Sequence, residues 1–166
     1  MSSKRLKKYM SLELPSIADQ KKLPYKTDEK EIRRLFKLIN ATIFNNKLKI
    51  PEIIVFDTFR GKNYWGMCET THDDPTINTK RAGVRIYLSN KWYCKQWLID
   101  TLAHEMCHQY QWDVYSKQRA KKGCVPVMSH GPSFYKFRNK LARHNIALKR
   151  VHRQSRWFRH QNFFKC

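Results

Sequence analysis

The stretch Leu98-Ile99-Asp100-Thr101-Leu102-Ala103-His104-Glu105-Met106-Cys107-His108 decides how this chain is read. It lies in a run from about Lys91 to Asp113 that contains no glycine or proline. Trp97, Leu98, Thr101, Leu102 and Cys107 in that run fit a long, mostly buried helix. On such a helix His104 and His108 differ by about 40° in rotation and about 6 Å in rise, so both imidazoles can reach one metal ion. Neutral imidazole suits zinc. Glu105 lies beside the same face, where its carboxylate can take a proton from water at the metal and later deliver it to a leaving amine. Two histidines and a glutamate are costly to bury in an otherwise apolar element without such a purpose.

A catalytic zinc site takes three protein ligands and keeps one position open. Glu105 is the last glutamate and Asp113 the last acidic residue, which excludes a downstream carboxylate as the third ligand. The compact pattern HExxHxxGxxH also fails, because Gln111 stands at the glycine position and Val114 at the histidine position. His130, His144, His152 and His160 remain, with Cys124 as an outsider. His130 is the strongest of these, since the Gly131-Pro132 that follows can make a tight turn and a helix start that pin its ring against the central helix.

Outward from this core, Thr27 or Asp28 caps a helix whose Ile32, Leu35, Phe36, Ile39 and Ile43 recur at three- and four-residue steps, and Asn45-Asn46 ends it. Ile53–Phe59, Tyr64–Glu69 and Val84–Leu88 read as strands of a small antiparallel sheet. Val84, Ile86 and Leu88 share one face, and Arg85 and Tyr87 the other. Val84–Leu88 is the candidate sheet edge for an added peptide strand, with Arg85 and Tyr87 tuning peptide preference. Ser116–Ser129 reads as a loop, and a helix restarts at Gly131-Pro132 and runs to about Asn145. Ile146–Val151 is a last strand or an extended tail. Residues 1–26 form a basic N-terminal arm, 27–151 the domain, and 152–166 a basic, aromatic C-terminal tail.

The 166 residues carry 34 Lys plus Arg against 13 Asp plus Glu, a formal net charge of +21. Self-repulsion of that size points to a polyanionic partner, nucleic acid first. From Val114 to Cys166 there are 14 Lys plus Arg and no acid. Candidate nucleic-acid contacts are Lys117, Arg119, Lys121, Lys122, Lys149, Arg150, Arg153, Arg156, Trp157 and Arg159, whose cations and aromatic ring suit phosphate contact plus stacking on unpaired bases. Binding of this kind is non-specific. No signal-peptide core follows Lys4-Arg5-Leu6-Lys7-Lys8, no run approaches a membrane span, and the five cysteines include no CxxC pair. The expectation is a reduced, intracellular protein, cytoplasmic or nucleoid-associated, not secreted, monomeric and without a membrane partner.

The HExxH string, together with Ser129-His130-Gly131-Pro132-Ser133-Phe134, resembles the SprT-like zinc metalloproteases. The likeness extends through Phe44-Asn45-Asn46-Lys47-Leu48, Trp65-Gly66-Met67-Cys68 and Ile86-Tyr87-Leu88-Ser89, and covers about residues 28–151. It implies an α+β, zincin-like domain with one catalytic zinc ion held by His104, His108 and His130, and Glu105 as general base. It also implies a zinc endopeptidase acting on DNA-bound or DNA-crosslinked proteins. Unlike many bacterial relatives, the chain shows no C-terminal zinc ribbon. Tyr110, Tyr115, Tyr135 and His144 each remain open as oxyanion donor, Trp65 as a cleft or core aromatic, and Asp100 as an imidazole-orienting or helix-surface carboxylate. The rival functional class is a non-catalytic nucleic-acid-binding protein with a structural zinc site, closed by Cys124 or His144; a zinc hydrolase of some non-peptide bond shares the site.

Overall fold

The computed structural model describes residues 25–56, 64–77, 80–92 and 94–150. The candidate residues His152, Arg153, Arg156, Trp157, Arg159 and His160 lie outside them. Tyr25–Lys26 forms a short strand, β1, followed by helix α1 at Glu29–Ile43. Asp28 caps α1, its carboxylate accepting from the Glu31 N–H at 2.8 Å. Ile32, Leu35, Phe36, Ile39 and Ile43 are all buried, as their spacing requires. The helix stops where Asn45 and Asn46 take left-handed φ of 54° and 58°, a region asparagine tolerates. The Asn40 amide then reads the loop backbone, donating to the Leu48 carbonyl at 2.7 Å and accepting from the Leu48 N–H at 3.2 Å.

Three strands follow: β2 at Glu52–Phe56, β3 at Gly66–Thr70 and β4 at Val84–Ser89. Their order is β2-β4-β3, with β4 parallel to β2 and antiparallel to β3. The sheet is therefore mixed, which corrects the expected all-antiparallel arrangement. Alternation shows which residues share a face but carries no strand direction, and here β4 inserts between its two predecessors. The same order corrects the placing of Val84–Leu88 at the sheet edge. β4 is central, and its Arg85 and Tyr87 bond to Glu52 and Glu69 of the flanking strands at 2.7 and 2.8 Å on the outer face. Val84, Ile86 and Leu88 face inward and are buried, as expected.

Strand β5, Lys91–Trp92, pairs antiparallel with β1 and precedes helix α2, Lys95–Tyr110. Tyr25 and Lys26, read in the arm, thus join the folded domain. Glu31 of α1 accepts from Lys95 Nζ at 2.6 Å, from Thr27 Oγ1 at 2.9 Å and from the Tyr25 hydroxyl, which clasps the starts of both helices together. Beyond Tyr110 the chain continues as a π-helical turn, Gln111–Ser116, and a short helix α3, Lys117–Ala120. Part of the expected loop is therefore helical. The expected last helix is divided into α4, Pro132–Tyr135, and α5, Arg138–Ala142. Residues 146–149 are neither helix nor strand.

The core lies between α1, the inner face of the sheet and α2, where Leu98, Ile99, Leu102, Ala103 and Met106 are each at most 1% exposed. Trp65 is also a core residue, its ring 5.3 Å from those of Trp92 and Trp97, which settles it as packing. Cys68, Cys107 and Cys124 are free thiols. Among the described residues no helix is long and apolar enough to cross a membrane.

Candidate metal centre

Helix α2 carries His104 and His108 one turn apart, with ring centroids 5.0 Å apart. His130 arrives from the other side, on the residue before Gly131, which caps α4 with Pro132 at its first turn. The Nε2 of His130 lies 3.1 Å from that of His104 and 3.2 Å from that of His108. An ion about 2.05 Å from tetrahedral nitrogen ligands would hold them about 3.3 Å apart, so these two separations match edges of a zinc-sized tetrahedron, and the three ligand atoms all lie within 4.8 Å of one another.

The opposite ring nitrogens fix the tautomers. His104 Nδ1 lies 2.8 Å from the Lys149 carbonyl oxygen, and His108 Nδ1 lies 3.0 Å from Gln111 Oε1. Carbonyl oxygens only accept, so both Nδ1 atoms carry the proton and both Nε2 atoms present a lone pair. Gln111 is itself oriented, because its Nε2 donates to the Ser129 carbonyl at 2.8 Å and to Ser133 Oγ at 2.7 Å. Protonation does not offer an easy way to relieve the crowded lone pairs. Burial pushes His108 down to about 4, and burial plus the charge of Arg150 lowers His130. The donor set therefore fits a divalent cation, zinc among them.

Phe134 forms a wall behind all three rings, its centroid 4.7, 4.6 and 4.8 Å from those of His104, His108 and His130. It is fully buried. Among the described residues these three histidines are the group able to share an ion; Cys124 and His144 do not join them. Tyr110, an oxyanion candidate, is packed in an aromatic cluster with Phe44 and Phe137.

Glu105 is 5% exposed and rests against β3. The Cys68 N–H donates to its carboxylate, yet burial dominates and pushes the carboxyl up to about 8. A side chain at Gly66 would meet Thr101 Cγ2 at 2.8 Å and Glu105 Oε1 at 3.1 Å, so glycine lets the outer strand approach the helix this closely. Trp65-Gly66-Met67-Cys68 thus combines a core anchor, a close approach and a hydrogen-bond donor to Glu105.

Asp100 does not touch an imidazole, and it is not on the surface. It is 1% exposed and accepts from Gln96 Nε2 at 2.8 Å and from the Ala147 N–H at 3.0 Å. Of the described basic candidates, Lys121, Lys122 and Arg150 are exposed, and Lys117, Arg119 and Lys149 half-buried. Arg119 is partly engaged by its own loop, stacking over Tyr115 and donating to the Val125 carbonyl at 3.3 Å. The reading of the sequence missed Gln111 and the Lys149 carbonyl as orienting groups and Phe134 as the wall. Gln111 had one local signal, since it lies three residues from His108 on the same helical face.

An α+β domain that gathers three imidazoles, two of them held in one tautomer, beside a buried glutamate defines a candidate metal centre. The SprT-like family model matches residues 32–153, most of the chain, and the chain belongs to the SprT-like family. No match was found among curated proteins. Membership suggests a metalloprotease-related function, and the three-histidine cluster is consistent with a zinc site.

Proposed function

We propose that this chain is a zinc endopeptidase of zincin-like fold, acting on proteins bound or crosslinked to DNA. The observation that carries the catalytic part is the convergence of three imidazole Nε2 atoms beside the buried Glu105 carboxylate, within a chain of the SprT-like family. His104, His108 and His130 would hold the ion. When bound, zinc supplies Lewis acidity toward a carbonyl oxygen and toward water. Glu105 takes the proton of the attacking water on its carboxylate and delivers it to the leaving amine nitrogen. The wall made by Phe134 keeps water from the back of the imidazoles.

For the peptide, the outer strand β3 replaces β4 as the edge on which substrate adds as a further strand, because β3 runs past Glu105 and, among the described residues, has one side unpaired within its sheet. The DNA part rests on the charge of +21 and on the exposed lysines following α3. Such contacts gather nucleic acid without reading its sequence and raise the local concentration of proteins attached to it.

The deciding experiment measures zinc content and cleavage of a DNA-binding protein with single-stranded, double-stranded and no DNA, for the native chain and Glu105→Gln. Loss of cleavage with zinc retained supports the peptidase. Bound zinc with no cleavage under any DNA condition favours a nucleic-acid-binding protein with a structural ion.

A further inference from the structure

After α5 the chain turns at Asn145, which takes a left-handed φ of 58°, and runs back along α2. Three side chains of α2, spaced four residues apart, meet three backbone groups spaced two apart. Gln96 Nε2 donates to the Asn145 carbonyl at 3.0 Å, Asp100 Oδ1 accepts from the Ala147 N–H at 3.0 Å, and His104 Nδ1 donates to the Lys149 carbonyl at 2.8 Å. Four helical residues advance about 6 Å and two extended residues about 6.6 Å, so helix and segment stay in step over all three rungs. The rungs are also tied sideways, since Gln96 Nε2 bonds Asp100 Oδ1 at 2.8 Å. Between them Ile146 and Leu148 are buried in the core. Polar alternation on one side and apolar alternation on the other thus pin the segment along the helix that bears the histidines.

We propose that residues 145–149 are a strap belonging to the metal centre, in which Asp100 acts as a positioning residue: by holding Ala147 it sets the Lys149 carbonyl on His104. The strap fixes the His104 tautomer with Nε2 toward the ion, so strap docking and ion binding form one linked equilibrium, each strengthening the other by the same factor. This inference rests on the reading that His104, His108 and His130 bind zinc. It explains why a carboxylate tolerates complete burial one turn before the first ligand: a backbone N–H needs an acceptor there, whereas its neighbours on the ladder meet carbonyls and are donors.

The test uses the full chain, with zinc and after chelation. Hydrogen exchange of the Ala147 amide is expected to slow by at least about tenfold when zinc binds, because an ion on Nε2 locks His104 in the tautomer whose Nδ1–H holds the Lys149 carbonyl. In competition against a chromophoric chelator, Asp100→Ala is expected to bind zinc about 10–100-fold more weakly, whereas Asp100→Asn, which keeps the acceptor oxygen, is expected to stay within about threefold of native. A merely structural Asp100 would lower melting temperature in the metal-free chain while leaving zinc affinity intact. One zinc bound with Ala147 exchange unchanged, or Asp100→Ala binding as tightly as native, overturns the strap while leaving the metal site standing. No zinc bound by the native chain overturns both. The exchange measurement needs no variant, so it decides the matter even if Asp100→Ala fails to fold.

Discussion

Gln111 Oε1 accepts the Nδ1 proton of His108 while Gln111 Nε2 grips the turn that carries His130 through the Ser129 carbonyl and Ser133 Oγ. One amide thus joins two ligands that are 22 residues apart in the chain. The π-helical turn that begins at Gln111 continues the same connection, since Ser116 Oγ accepts from the Val127 N–H at 2.9 Å. The His130 loop is in this way stitched to the end of α2 at two points. Gln111→Leu has similar bulk but cannot make these bonds. It is expected to weaken zinc affinity about 10–100-fold and stability by ~1–3 kcal/mol, because buried partners lose their hydrogen bonds. Gln111→Glu keeps the acceptor for His108 and loses the donors, and is expected to fall between native and Gln111→Leu in zinc titration.

Phe134 makes a separate demand on the same centre. Its ring contacts the three imidazoles at 4.6 to 4.8 Å and is fully buried, so its loss empties the space directly behind the ligands. Phe134→Ala is expected to cost ~3–5 kcal/mol in chemical unfolding. Phe134→Leu retains most of the apolar contact and is expected to fold with a smaller loss. Its zinc affinity should still fall, because the flat surface that holds the rings at their mutual angles is gone.

Two carboxyls, buried Asp100 and half-buried Glu31, give opposite pH signatures. Burial raises Asp100 to about 7, against the opposing hydrogen bonds from Gln96 and Ala147 and the charge of Lys149. A carboxyl raised in the folded state contributes stability below its unfolded value of 3.8, and that contribution is lost as pH climbs through about 7. Asp100→Asn removes this loss, so its melting temperature relative to native is expected to rise between pH 5 and pH 8 in the metal-free chain. Glu31 runs the other way. Burial opposes its ionisation, but hydrogen bonds from Lys95, Tyr25 and Thr27, with the Lys95 charge, outweigh it and hold the carboxyl below 4.5. Its contribution is present above that value and is lost on acidification, so the advantage of native over Glu31→Gln is expected to shrink below pH 4.5.

The elements legible in the sequence were those governed by local periodicity and local chemistry. Helix α1 followed from its apolar steps and its Asp28 cap, and α2 from the uninterrupted run around His104 and His108. His130 was reachable because glycine and proline mark a turn that fixes one side chain. Strand direction was not legible, since β2 and β4 pair in parallel through contacts that no local pattern encodes. The orienting groups escaped for a related reason. The Lys149 carbonyl is backbone, which every residue possesses, and only the returning path of residues 145–149 brings it to His104. Asp100 looked like a surface carboxylate because its partner Ala147 lies 47 residues away.

The cationic surface makes its own measurable demand. Lys121 and Lys122 are exposed in the turn after α3, beside a loop with no acidic residue. If they bind phosphates, each releases counterions, and log affinity falls with log salt by ~0.9 per contact on duplex and ~0.7 on single strands. Replacing both with glutamate is therefore expected to lower DNA affinity and flatten the slope by ~1.8 for duplex or ~1.4 for single strands. Fluorescence anisotropy with labelled DNA, from about 50 to about 200 mM salt, reads both quantities. Zinc content should be untouched, because neither lysine belongs to the three-histidine cluster. An unchanged slope would remove this turn from the interface and transfer the DNA role to other cations of the chain, whereas a flattened slope with retained zinc would separate nucleic-acid capture from the metal centre it serves.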